Sequence, residues 1–264
     1  MQPPVRRRTR LLGALWAAVL MAGMVLTATL AATQSSSAAT VPTWPTKTGD
    51  YTVSGTIPVS AGQVYDGGMK RYCCIGDGSQ SESQDPMFDL ADGATLKNVI
   101  IGSPAGDGVH CEGRCTIQNV WWEDVGEDAA TFKGTNGDSY VIGGGAKSAD
   151  DKVFQHNGSG TVHISGFYAK GIGKLYRACG NCSTSYKRQV VVDNVILDTA
   201  KYVVGININW GDQATLTRVT LINSSSAHVC AEYQGVPKGS EPTYLGDGWG
   251  DSYCHVTKSD VTYQ

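Results

Sequence analysis

The side chains able to do chemistry are concentrated in two stretches, Gly106-Asp107-Gly108-Val109-His110-Cys111-Glu112 and Glu123-Asp124-Val125-Gly126-Glu127-Asp128, with Lys133 close behind. Asp107, Glu127 and Asp128 offer hard carboxylate oxygens, which suit calcium better than zinc or copper. Turn acids in Asp-Gly and Gly-Asp pairs are ordinarily just solvated. What sets these apart is spacing: Asp107 and Asp128 are 21 residues apart, and in a chain that repeats at that length they stack on neighbouring coils. Stacked carboxylates repel unless a cation lies between them. Asp150-Asp151-Lys152 follows at a similar interval, and then Lys174-Leu175-Tyr176-Arg177. One face would therefore run from acids to cations and grip an anionic polymer, through a metal at one end and ammonium and guanidinium groups at the other.

The elements that must position these groups show the required repeat. A small residue or Thr, an apolar anchor, a polar residue and then Asn, Gly or Arg recur at Thr95-Leu96-Lys97-Asn98 and Thr116-Ile117-Gln118-Asn119. Looser copies are anchored at Val141, Ile164, Val192 and Leu216, with successive spacings of 21, 24, 23, 28 and 24. Such a period indicates a solenoid. β-Branched residues crowd the anchors, Gly, Asn and Asp crowd the gaps, and no amphipathic helical stripe persists from Thr40 onward. A leucine-rich repeat would need several leucines at fixed places in each unit, and a β-sandwich would need short hairpin turns. The reading is an all-β, single-domain right-handed parallel β-helix over residues 40–264, with Asn98, Asn119 and Asn194 stacking their amides at one bend.

The 264 residues are 41% apolar and 17% charged, with 33 glycines, enough apolar surface for a core. Residues 1–39 hold four arginines and no acid, which leaves 17 basic against 24 acidic residues in the remainder, a net of −7. An acidic body repels a polyanion such as DNA, so no nucleic-acid partner is expected. Arg6, Arg7, Arg8 and Arg10, the apolar run Leu11 to Leu26 and the small residues that follow have the order of a secretory signal peptide, with cleavage near residue 32 or 39. The remainder is expected to be extracellular, with no membrane association after cleavage. Eight cysteines in an exported chain favour disulfides of unassigned pairing over a zinc site at Cys111-x3-Cys115 and Cys179-x2-Cys182.

The blocks Ser81-Glu82-Ser83-Gln84, Asp92-Gly93-Ala94-Thr95-Leu96-Lys97-Asn98-Val99-Ile100-Ile101-Gly102, Asp107-Gly108-Val109-His110-Cys111-Glu112-Gly113, Val120-Trp121-Trp122-Glu123-Asp124-Val125-Gly126-Glu127-Asp128-Ala129 and Ala149-Asp150-Asp151-Lys152-Val153-Phe154-Gln155-His156-Asn157-Gly158 closely resemble the small secreted pectate lyases of polysaccharide lyase family 3. The resemblance spans about residues 57–230. It implies a parallel β-helix, calcium dependence and eliminative cleavage of polygalacturonate or pectin. It also implies calcium ligands at Asp107, Glu127 and Asp128, with basic catalytic and substrate-binding positions at Lys133, Lys152, Lys174 and Arg177. Glu82, in the alternation Gln80-x-Glu82-x-Gln84, is a further implied substrate-binding residue. Either Lys152 or Arg177 is the base; lysine is chemically easier, because guanidinium stays protonated above about 12.5. The working expectation is Lys152 as base, Lys174 and Arg177 as carboxylate clamps, and a chain acting as a monomer. The rivals are a polygalacturonase-type hydrolase using a carboxylate pair and a non-catalytic calcium-dependent wall-binding protein.

Overall fold

A computed structural model describes residues 39–264, apart from Gln80 and Glu82. The signal-peptide reading of residues 1–39, all but the last of them, and the assignment of Glu82 lie outside the described residues. The chain winds as a parallel β-helix in which each coil contributes short strands to three faces. The site face carries Phe88–Leu90, Val109–Cys111, Ala130–Phe132 and the ends of the long strands Gly145–His156, Tyr168–Ala178 and Arg188–Asn207. Two 3-10 turns, Ile208–Trp210 and Lys258–Asp260, are the helical segments among the described residues.

The six sequence anchors fall in one unbroken parallel register, Leu96–Ile117–Val141–Ile164–Val192–Leu216, and all are buried. On the site face a second inward column runs Phe88–Val109–Ala130–Phe154–Tyr176–Val204–Cys230. Such columns bury apolar side chains coil upon coil, the non-directional term that drives the winding. The parallel pattern is interrupted where His228–Gln234 pairs antiparallel with Thr243–Asp247, and it resumes where Cys254–His255 and Val261–Tyr263 pair parallel with Gln213–Ile222.

Turning from one face to the next requires a left-handed backbone residue at the same place in each coil. Asn98, Asn119, Gly143, Gly166, Asn194 and Arg218 occupy it, with φ between 52° and 64°. Asn and Gly tolerate that region best. Asn119 Nδ2 donates to Asn98 Oδ1 at 2.9 Å, and Asn98 Nδ2 donates to Asp66 Oδ1 at 3.0 Å. Asn194 occupies the same bend but does not extend this ladder, contrary to the sequence reading, because the two intervening coils place side-chain-free Gly143 and Gly166 there.

The cysteines pair as Cys73–Cys74, Cys111–Cys115, Cys179–Cys182 and Cys230–Cys254. Fully buried Arg188 donates to the carbonyls of Asn157, Gly158 and Cys179, while its backbone N–H donates to Asp212. This one guanidinium fixes two loops that edge the cleft described next.

Asn119→Ala is expected to cost about 1–3 kcal/mol, since it puts alanine in a left-handed bend and breaks the amide ladder. Asn119→Gly should cost less. Urea unfolding measures both, and an alanine variant as stable as the parent would remove the bend from the account.

Candidate active site

A cleft of about 840 Å³ crosses the coils of the site face and collects Asp107, Glu127, Asp128, Lys133, Lys152, Lys174 and Arg177 along its walls. The strand register explains the convergence. Asp107, Asp128, Lys152 and Lys174 each stand two residues before an inward anchor, Val109, Ala130, Phe154 and Tyr176, and those anchors are register partners. Spacings of 21, 24 and 22 residues therefore become one column of side chains. Gly108 makes the first stacking possible: its φ is +56°, and a Cβ there would lie 2.3 Å from the Ala129 carbonyl oxygen and 2.4 Å from that of Asp128.

The three acids bring one oxygen each within 4.8 Å of one another. Asp128 is 2% exposed and Glu127 7%. Asp107 Oδ1 and Asp128 Oδ1 are buried without a hydrogen-bond donor among the described residues. Burial pushes the Asp128 carboxyl well above the usual range; Lys152 opposes this, while Glu127 and Asp107 add to it. Lys152 is the cation in contact, its Nζ 3.0 Å from Glu127 Oε1, 2.9 Å from Asp151 Oδ2 and 3.6 Å from Asp128 Oδ1. Burial lowers its pKa, but Asp128, Glu127 and Asp151 outweigh that and hold the ammonium above its ordinary value.

Three converging carboxylates with two unpartnered oxygens and one ammonium form an oxygen-only donor set short of positive charge. It fits a hard divalent cation such as calcium and offers no nitrogen or sulfur for a softer metal.

Further along the cleft, Arg177 lies outward between its inward neighbours Tyr176 and Ala178. Its guanidinium stacks 4.0 Å from the Tyr233 ring centroid, and Nη1 is buried without an acceptor among the described residues. Burial lowers its pKa, against smaller opposing effects from Tyr233 and Asp212. Gly205, its register partner on the next coil, leaves the space: a Cβ there would lie 3.0 Å from Arg177 Cδ and 3.2 Å from the Tyr233 ring. Lys174 pairs with Asp151.

Lys133 is placed through a residue the sequence reading did not single out. Its Nζ donates to His110 Nδ1 at 2.6 Å and to Glu112 Oε1 at 3.1 Å. With Nδ1 accepting, the ring proton sits on Nε2, which donates to Asp107 Oδ2 at 2.6 Å. His110 thus orients a carboxylate of the acid cluster and links it to a cleft cation. The available signal was its place one residue past the anchor Val109, where a strand turns its side chain outward. Tyr233 carried no comparable signal, because it reaches Arg177 from two coils away across the gap at Gly205.

Fold and cleft together define a β-helix enzyme with an acid-and-cation column open to a long substrate. The pectate lyase family model matches residues 41–240. Pectate lyase H of Emericella nidulans is 48% identical over 219 residues, covering 81% of this chain and 83% of that protein. A probable pectate lyase D of Aspergillus fumigatus is 45% identical over 212 residues, covering 79% and 87%. Among solved structures, the catalytic domain of pectate lyase PelI from Erwinia chrysanthemi superposes with a TM-score of 0.71 at 34% identity, covering 81% of this chain and all of that one. PelI in complex with tetragalacturonic acid gives a TM-score of 0.69 at 33% identity, covering 81% and 70%. The chain belongs to the pectate lyase family. It is a lyase, which sets aside the hydrolase and the non-catalytic wall-binding protein.

Removing a group that orients a metal ligand typically costs about 10–100-fold in metal affinity. His110→Leu is expected to weaken calcium binding by that order in a calorimetric titration. His110→Gln, which can still donate to Asp107, should recover part of it. Unchanged affinity in the leucine variant would mean that His110 does not orient Asp107.

Proposed function

We propose that this lyase is exported by way of residues 1–39, that residues 40–264 form its catalytic domain, and that it requires calcium and cleaves α-1,4-polygalacturonate by β-elimination. The observation that carries the reading is the convergence of Asp107, Glu127 and Asp128 against Lys152, with Lys174 and Arg177 next in the same cleft. That a PelI structure holds tetragalacturonic acid supports a galacturonan as substrate. Every one of these side chains comes from one chain, so the reading needs one copy and is proposed for a monomer.

Asp107, Glu127 and Asp128 would hold the calcium ion, with His110 orienting Asp107. Bound there, calcium would supply the Lewis acidity that makes the C5–H beside a uronate carboxylate easier to remove. Arg177 presents a planar fork whose Nη1 has no acceptor among the described residues, suited to clamping a substrate carboxylate, and Lys174 and Lys133 add point charges in the same cleft. Lys152 Nζ is assigned as the base. The carboxylates that raise its pKa include the two that a divalent cation would engage, Glu127 and Asp128, whereas the burial that lowers it would remain. The C5 proton passes to Nζ, the C5–H electron pair forms the C4–C5 double bond, and the C4–O bond breaks. The leaving oxygen takes a proton from water in the open cleft. The product is a 4,5-unsaturated uronate at the new non-reducing end.

A polygalacturonate digest should therefore gain the ultraviolet absorbance of a conjugated unsaturated uronate, lose that gain with chelator and recover it with calcium. Saturated oligomers would contradict elimination. Asp128→Ala should abolish most activity at low calcium while leaving the thermal unfolding curve near that of the parent; full activity at low calcium would exclude Asp128 as a ligand.

Loss of a general base typically costs about 10²–10⁴-fold in rate. Lys152→Ala is expected to lower kcat by that order, whereas Lys174→Ala should mainly raise KM. Near-normal turnover in Lys152→Ala together with an inactive Arg177→Ala would move the base to Arg177.

A further inference from the structure

The column that supplies the acids and lysines does not stop at Lys174. Its register partners on the next two coils are Tyr202 and then His228, each two residues before its inward anchor, Val204 and Cys230. The Tyr202 and His228 rings stack with centroids 4.6 Å apart and planes 19° from parallel. Tyr244, on the antiparallel edge strand, meets His228 edge-on at 5.2 Å and is 42% exposed. The group adjoins the cleft cations, with Lys174 Nζ 5.5 Å from the Tyr202 centroid.

The mechanism uses none of these three rings, and His228 Nδ1 and the Tyr244 hydroxyl are engaged by one carboxylate. Asp247 accepts from His228 Nδ1 at 3.0 Å and from the Tyr244 hydroxyl at 3.0 Å. The acid therefore fixes the Tyr244 ring against His228, and the Tyr244 ring offers exposed aromatic surface beside the stacked pair.

A linear polymer lying across the coils passes from Lys174 onto this patch, each coil adding about 4.8 Å. We propose that Tyr202, His228 and Tyr244 form a distal sugar subsite that takes a further unit of the same galacturonan by the C–H face of its ring. Because the grip is on the ring, the subsite accepts a methyl-esterified unit as readily as a free acid, unlike the cleft at Lys174 and Arg177. This inference rests on the proposed galacturonan lyase activity.

The test compares tetragalacturonate with octagalacturonate, following unsaturated product, for the parent, Tyr244→Ala and Tyr202→Leu. Tyr244 sits on an exposed edge, and leucine at 202 keeps apolar bulk, so at least one folded variant is available; thermal unfolding checks both. The parent should have the lower KM on the octamer. Each variant should raise KM on the octamer by about 3–10-fold, the size of one ring contact. The tetramer should change by less than about 2-fold, and kcat should be kept on both. A parent without length preference, a folded variant that keeps it, or equal losses on both substrates would overturn the subsite. A parent that releases no unsaturated product from either oligomer would instead overturn the lyase reading, and the subsite with it.

Discussion

The structure turns on one electrostatic constraint: three carboxylates are brought together by coil register, and one ammonium group touches them. Asp107, Glu127 and Asp128 converge within 4.8 Å at low exposure, and Lys152 hydrogen-bonds to Glu127 but stands 3.6 Å from Asp128. Buried like charges repel strongly when water is excluded, so the arrangement persists only because the backbone on either side is fixed. That surplus of negative charge is what makes the site receptive to a dication. The same acids raise the Lys152 ammonium above its ordinary pKa, an effect that a dication engaging them would weaken.

The fixed backbone has identifiable sources. Left-handed bends at Asn98, Asn119, Gly143, Gly166, Asn194 and Arg218 keep successive coils in step. The inward column from Phe88 to Cys230 locks that step with buried side chains, and Gly108 lets the Asp107 turn lie against the Asp128 turn. On the cleft's edge, Arg188 uses a buried guanidinium to hold the turns at Asn157–Gly158 and Cys179. Stability and activity are therefore coupled through geometry: a change that slips one coil moves a carboxylate, a cation and a wall together.

The repeat was legible because its anchors are apolar and its bends use Asn or Gly, so the winding follows from residue type and spacing. The column Asp107, Asp128, Lys152 and Lys174 followed from the same arithmetic. What was not legible depends on side-chain reach. His110 is a common residue type, and its role appears only once Lys133 is seen to occupy its other nitrogen. Tyr233 crosses two coils through space that Gly205 leaves open. The broken asparagine ladder failed for a related reason: matching bend positions do not guarantee side chains at every level. Cysteine pairing was equally opaque, since three of the four pairs join residues one, three or four apart and only Cys230–Cys254 spans a coil.

The central claim, that Lys152 holds a place a divalent cation would take, is tested most directly by a crystal structure of the chain grown with calcium. The account predicts one ion bound by oxygens of Asp107, Glu127 and Asp128, with Lys152 Nζ turned away from Glu127 toward the open cleft. An ion bound elsewhere, or an ion at the acids with the Lys152–Glu127 contact still at 3.0 Å, would contradict it.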